Sequence, residues 1–144
     1  MTPLYVETSA VLTWLFGEPE AETVVRLIDQ AELVVSSTLT VVEVERAFCR
    51  AGPVYAIDEA TTSDLLGRTA QQFRSWELLD LTPEIRQRAG RALPVEPVRT
   101  LDALHLAAIL AFVEIYGGLT VLSLDKRIIA NLVPLGLTLA PLEA

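Results

Sequence analysis

One cysteine and one histidine occur among the 144 residues. A lone Cys49 cannot form an intramolecular disulfide, so no disulfide framework holds the fold. It falls in a helical segment, where a free thiol behaves as a small hydrophobe, and a buried thiol is expected. A single His with a single Cys excludes a zinc site rich in those ligands and gives no support to a thiol protease. Neither GxGxxG nor GxxxxGK[ST] is present, so no glycine loop cradles a dinucleotide or nucleotide phosphate. No GxSxG elbow presents a serine nucleophile. Basic residues are few, 11 Lys and Arg against 19 Asp and Glu, for a formal charge of −8. That balance argues against broad nonspecific binding to nucleic acid and suits a basic protein partner. It does not exclude a nuclease, because local arginines and bound metal reverse the sign within a cleft. The longest apolar stretch, LDALHLAAILAFVEIYGGLTVL, carries Asp102, His105 and Glu114 and breaks at Gly117-Gly118. A buried helix followed by a buried strand fits it better than a membrane span, which wants about 20 predominantly apolar residues. MTPLYVETSA has no basic region and no apolar core of signal-peptide length, so a cytoplasmic protein is expected.

What is present is a hydrophobic α/β pattern. Hydrophobic residues make up 51% of the chain, and its mean hydropathy is +0.42. Its length suits one domain, residues 1–144, burying roughly 68–70% of its unfolded surface. LYV reads as a buried strand, followed by a helix capped by Thr8 or Ser9 and running to about Phe16. Gly17 stops that helix, and Pro19 with its neighbouring acids starts another through GEPEAETVVRLIDQ. ELVVSS is a strand, and TVVEVERAFCRAG a helix stopped by Gly52-Pro53. Asp58 caps a helix to about Ser75, and WELLDL is a short strand. Thr82-Pro83-Glu84 opens a helix to about Leu93, and LPVEPV is a loop. Thr100 caps a helix of about 16 residues. LTVLSL, DKRIIANLV and LTLAP then give a strand, a helix and an edge strand. Strands and helices alternating in this way imply a parallel sheet with helices on both faces.

Four carboxylates sit oddly in such a domain. Glu7 ends the LYV run, Glu43 lies in LTVVEVERAF, Asp102 opens RTLDALHLAAIL and Asp125 closes LTVLSLD. Each falls at a strand-to-helix junction or in the first turn of a helix. In an open parallel sheet the carboxyl ends of the strands share one edge, where ligands collect. Four acids gathered there repel one another unless protons or a hard cation neutralise them. Oxygen-only donors favour Mg²⁺ or Mn²⁺. Each acid also has a structural use. Glu7 and Asp102 suit a helix dipole, and Asp125 suits a cap for KRIIANLV. Thr40-Val41-Val42-Glu43 matches a capping box. His105, three residues after Asp102 on an apolar helix, is expected to be a hydrogen-bonded core residue. Lys126 and Arg127 either steer phosphate or face solvent.

LYVETSAVLTWLFGEPEAE, SSTLTVVEVERAF, RTLDALHLAAIL and LSLDKRI, in this order and spacing, resemble the PIN-domain ribonucleases, specifically the VapC-type toxins of toxin–antitoxin pairs. The resemblance spans essentially the whole chain. It implies a three-layer α/β/α sandwich with a parallel sheet of about five strands. It also implies a Mg²⁺- or Mn²⁺-dependent endoribonuclease acting on structured RNA such as tRNA or rRNA. A homodimer and inhibition by a small VapB-type antitoxin are further implications. The family's four acids fall on Glu7, Glu43, Asp102 and Asp125, with Glu7, Asp102 and Asp125 expected to hold metal and Ser9 to assist the first acid. The family has aspartate where this chain has Glu7. The added methylene gives a second expectation, a catalytically impaired PIN-fold binding protein that still dimerises and binds an antitoxin. A small-molecule phosphohydrolase on a similar scaffold is disfavoured, because no DxD motif follows the first strand.

Overall fold

The computed structural model describes residues 2–142. Its strands are β1 (Leu4–Val6), β2 (Val34–Ser37), β3 (Glu77–Leu79), β4 (Thr120–Leu122) and β5 (Thr138–Leu139). They pair in parallel throughout, in the order β3-β2-β1-β4-β5. β1 is central, with Leu4 in register with Val34 on one side and Thr120 on the other. The helices are α1 (Thr8–Leu15), α2 (Ala21–Gln30), α3 (Thr38–Tyr55), α4 (Glu59–Arg74), α5 (Pro83–Ala89), α6 (Thr100–Tyr116) and α7 (Lys126–Leu132).

Strand side chains alternate between two apolar layers, as the two-residue period of a strand requires. Tyr5, Val35 and Val121 pack with Leu106, Ile109 and Phe112 of α6. Leu4, Val6, Val34 and Leu122 point the other way, onto Val11, Val24, Val44 and Phe48 of α1, α2 and α3. The expected α/β/α sandwich is therefore present, with LTLAP supplying the edge strand β5. Truncating a side chain as deeply buried as Phe112 costs about 3–5 kcal/mol. Among the described residues, no helix is long and apolar enough to cross a membrane.

Several local expectations hold. Asp58 caps α4 through Thr61 N–H, and Thr82 caps α5 ahead of Pro83. Others are corrected. α1 is capped by Glu7 rather than Thr8 or Ser9, because the Glu7 carboxylate folds back to accept from Ser9 N–H. α3 starts at Thr38, since Ser37 leaves β2 in an extended conformation and accepts from Leu39 N–H. The Thr40–Glu43 capping box therefore does not form. The Thr40 hydroxyl accepts from Ser36, and Glu43 lies in the second turn. Gly52-Pro53 does not stop α3, which continues to Tyr55 and ends at Ala56 in the left-handed region (φ 52°). Proline removes one backbone donor, and so close to the helix end that loss is small. α6 has Arg99, not Thr100, at its N-cap, with no side-chain cap bond. α5 ends at Ala89, because the following segment folds around Glu96, whose carboxylate accepts from Leu93 N–H and Val98 N–H. Cys49 is exposed rather than buried. α3 turns Val44, Ala47, Phe48 and Ala51 to the core, leaving Cys49 on the outer face beside Arg50.

Candidate active site

The strand order reverses between β1 and β4, and at such a switch point the carboxyl ends of the strands open a crevice. Glu7 follows β1 directly, and Asp125 follows β4 after Ser123 and Leu124. α3 rises from the end of β2 with Glu43. α6 runs antiparallel to the strands and brings Asp102, in its first turn, to the same edge. Glu43, Asp102 and Asp125 line one cavity of about 600 Å³, walled also by Val98, Arg99, Thr100 and Leu101. A more apolar groove of about 680 Å³ lies between α3 and α4, away from the acids.

The acids are not equivalent. Asp102 is half-buried, and its carboxyl is held above the usual carboxylate range by burial first, then by the charges of Asp125 and Glu7, with Arg99 opposing. Such a shift is what burial and neighbouring negative charges produce together when nearby cations only partly offset them. Asp125 does two things: Oδ1 caps α7 by accepting from Arg127 and Ile128 N–H, and the residue faces the cavity. Lys126 and Arg127 are exposed.

Glu43 has its pKa lowered. Burial opposes this, but hydrogen bonds from His105 and Thr8, the charge of His105 and that of Arg50 outweigh it. Its Oε1 lies 2.5 Å from His105 Nε2 and accepts from Thr8 Oγ1 at 2.7 Å. His105 is fully buried, as expected of a core histidine, and its Nδ1 lies 2.9 Å from Tyr5 Oη. Tyr5 itself is raised well above its usual pKa by burial and by Glu7 and Glu43.

Glu7 sits below the cavity rather than in its wall. It is 4% exposed, and both of its oxygens are taken. Oε2 accepts from Ser9 N–H, and Oε1 accepts from Ser9 Oγ at 2.5 Å and Ser123 Oγ at 2.6 Å. Ser9 thus bonds to Glu7, and its Oγ also accepts from Leu124 N–H. Glu7 Oε2 is 4.0 Å from His105 Nε2.

The donors fit a hard divalent cation in kind and charge, being carboxylates with an unbalanced negative field on Asp102. In position they stand apart. Among the described residues, no three Asp, Glu, His or Cys side chains gather closely enough to hold one ion.

Sequence reasoning passed over Tyr5, Thr8 and Ser123 as partners of the acids. Thr8 carries a signal, being next to Glu7, but a hydroxyl in that place suits a helix cap equally well. Arg99, the cation in the cavity wall, is signalled only by its place ahead of α6.

The sequence matches the PIN domain family over residues 4–132. It is 33% identical over 107 residues to "Ribonuclease VapC46" of Mycobacterium tuberculosis, covering 74% of each chain. The chain belongs to the PIN-domain family, among its VapC-type ribonuclease toxins. A second relative, "Ribonuclease VapC45" of the same species, is 27% identical over 143 residues, 99% of this chain and 98% of the other. The fold of this PIN-domain protein is similar to that of VapBC2 from Rickettsia felis, solved bound to a DNA fragment from its promoter (TM-score 0.66, 10% identity, 96% and 98% of the two chains). It is also similar to Mycobacterium tuberculosis VapC20, described as a sarcin-ricin loop cleaving toxin (TM-score 0.63, 15% identity, 88% and 93%).

Proposed function

We propose that this PIN-domain protein is a Mg²⁺- or Mn²⁺-dependent endoribonuclease that cuts structured RNA, tRNA or rRNA, as one domain over residues 1–144. The observation that carries the reading is the shared cavity of Glu43, Asp102 and Asp125 at the switch point, with Asp102 pushed up by burial and then by its anionic neighbours. Asp102, Asp125 and Glu7 would hold the metal, directly or through water, and Glu43 would hold metal or orient the attacking water. Glu7 would first have to give up part of its hold on Ser9 and Ser123. The ion, when bound, lowers the pKa of water and stabilises charge developing on the phosphate. Arg99 supplies positive charge at the cavity wall, where an RNA backbone enters an otherwise acidic protein. A VapB-type antitoxin with a basic segment suits the net charge of −8, and the solved VapBC2 assembly of a structural neighbour supports such a partner. Homodimerisation and a cytoplasmic location complete the proposal.

The test is cleavage of total RNA with Mn²⁺, with EDTA, and by Asp102→Asn with Mn²⁺. Cleavage only by the parent chain with Mn²⁺ is expected. Equal cleavage in all three would point to a contaminant and overturn the reading. One observation favours a second reading: the Glu7 carboxylate is fully engaged by Ser9 and Ser123. On that reading the chain binds its antitoxin but turns over poorly.

A further inference from the structure

Glu43 is gripped from behind by buried groups that do not line the cavity. Tyr5 Oη meets His105 Nδ1 at 2.9 Å, and His105 Nε2 meets Glu43 Oε1 at 2.5 Å. Tyr5 and His105 are both 0% exposed. Counting hydrogens assigns this relay. A carboxylate can only accept, so the hydrogen between His105 and Glu43 resides on Nε2. The Tyr5 hydroxyl, able to donate or accept, holds Nδ1 of the same ring, so both ring nitrogens are fixed. Thr8 donates to the same oxygen of Glu43 at 2.7 Å. Oε1 therefore takes two donors. Oε2 makes no hydrogen bond among the described residues, and Glu43 lines the acid cavity. A histidine with only a packing role needs no such arrangement, since a backbone carbonyl and a water would satisfy it equally.

We propose that Tyr5 and His105 are positioning residues that tie Glu43 by one oxygen and present the other to the cavity. Outer groups that orient a site carboxylate or imidazole in this way typically change metal affinity or activity 10–100-fold when removed. The consequence for metal and RNA rests on the function proposed above; the hydrogen-bond relay itself does not.

The experiment joins long-range ¹H–¹⁵N NMR of the single histidine with Mn²⁺ binding by calorimetry. It uses the parent chain, His105→Leu, His105→Gln and Glu43→Gln, and the double variant of Glu43→Gln with His105→Leu. The parent is expected to show a hydrogen on Nε2. Mn²⁺ affinity should fall about tenfold or more in His105→Leu, and recover in part in His105→Gln, whose amide can still donate. It should fall no further when His105→Leu is added to Glu43→Gln. An Nδ1–H tautomer with a bare Nε2 in the parent would overturn the proposal. So would an equal loss from His105→Leu with and without Glu43. If the parent neither binds Mn²⁺ nor cuts RNA, the metal-dependent function fails, and the NMR pattern alone decides the relay.

Discussion

Ser123 Oγ donates to Glu7 Oε1 at 2.6 Å, joining the end of β4 to the end of β1 across 116 positions of sequence. Together with Ser9, this bond turns the first acid of the site into a strut. Shortening Glu7 by one methylene keeps a good N-cap for α1 while loosening the strut. We expect Glu7→Asp to raise Mn²⁺-dependent RNA cleavage by about 10–100-fold, the scale that a misplacement of about 1 Å costs. Single-turnover cleavage of total RNA measures it. An unchanged or slower rate would show that Glu7 does not limit the site.

Asp102 gives a pH-dependent prediction. Burial, then Asp125 and Glu7, make its carboxyl bind a proton more tightly in the folded chain than in the unfolded one. Stability is therefore lost as pH rises from the unfolded value through the folded one, and regained in acid. Asp102 is only half-buried, so solvent screening keeps the effect small. At pH 7, Asp102→Asn is expected to melt about 1–3 °C above the parent, with the gap closing as pH falls through the carboxylate range. Millimolar Mn²⁺ should raise the Tm of the parent and leave the variant unmoved. Calorimetric scans at several pH values check both, and a lower Tm for the variant at pH 7 would contradict the repulsion.

The segment that leads into the cavity wall is anchored by Asn131. This buried side chain accepts from Val95 N–H at 2.8 Å and donates to Val95 O and Arg127 O. Asn131→Ala should cost about 1–2 kcal/mol, the value of a few hydrogen bonds whose freed groups partly reach water. Amide exchange should quicken at residues 93–98, while Tyr5 and Val121 in the sheet stay protected. Unchanged exchange in that segment would mean that Glu96 alone holds it.

Cys49 lies on the outer face of α3. The native protein should therefore give one thiol equivalent to a disulfide reagent within minutes, without denaturant. Reaction only after unfolding would place the thiol inside.

The fold was legible because its signals are local. Leu4, Tyr5 and Val6 announce a buried strand, and Asp58 and Thr82 announce their helices by side-chain chemistry within three residues. Boundaries failed where two neighbours offered the same chemistry. Ser37 and Thr40 are both capable caps, and only the exit angle of β2 selects Ser37. The acids could be named from their junctions, but their inequality could not. Glu43 is fixed by Thr8 and His105, 35 and 62 positions away, and no pattern within a helix or strand encodes such pairs. The surface position of Cys49 was missed because α3 is only moderately one-sided, with Val42 and Val54 also exposed.

Glu7, Thr8 and Ser9 are consecutive, yet they fasten to Ser123, to Glu43 with His105, and to Leu124 respectively. During synthesis these three residues leave the ribosome well before Ser123 and Leu124, which lie 116 and 115 positions beyond their partners Glu7 and Ser9. Until then Glu7 lacks Ser123 and the cavity lacks Asp125. The pocket of Glu43, Asp102 and Asp125 therefore depends on pairings that span the fold, and no shorter stretch of chain assembles it.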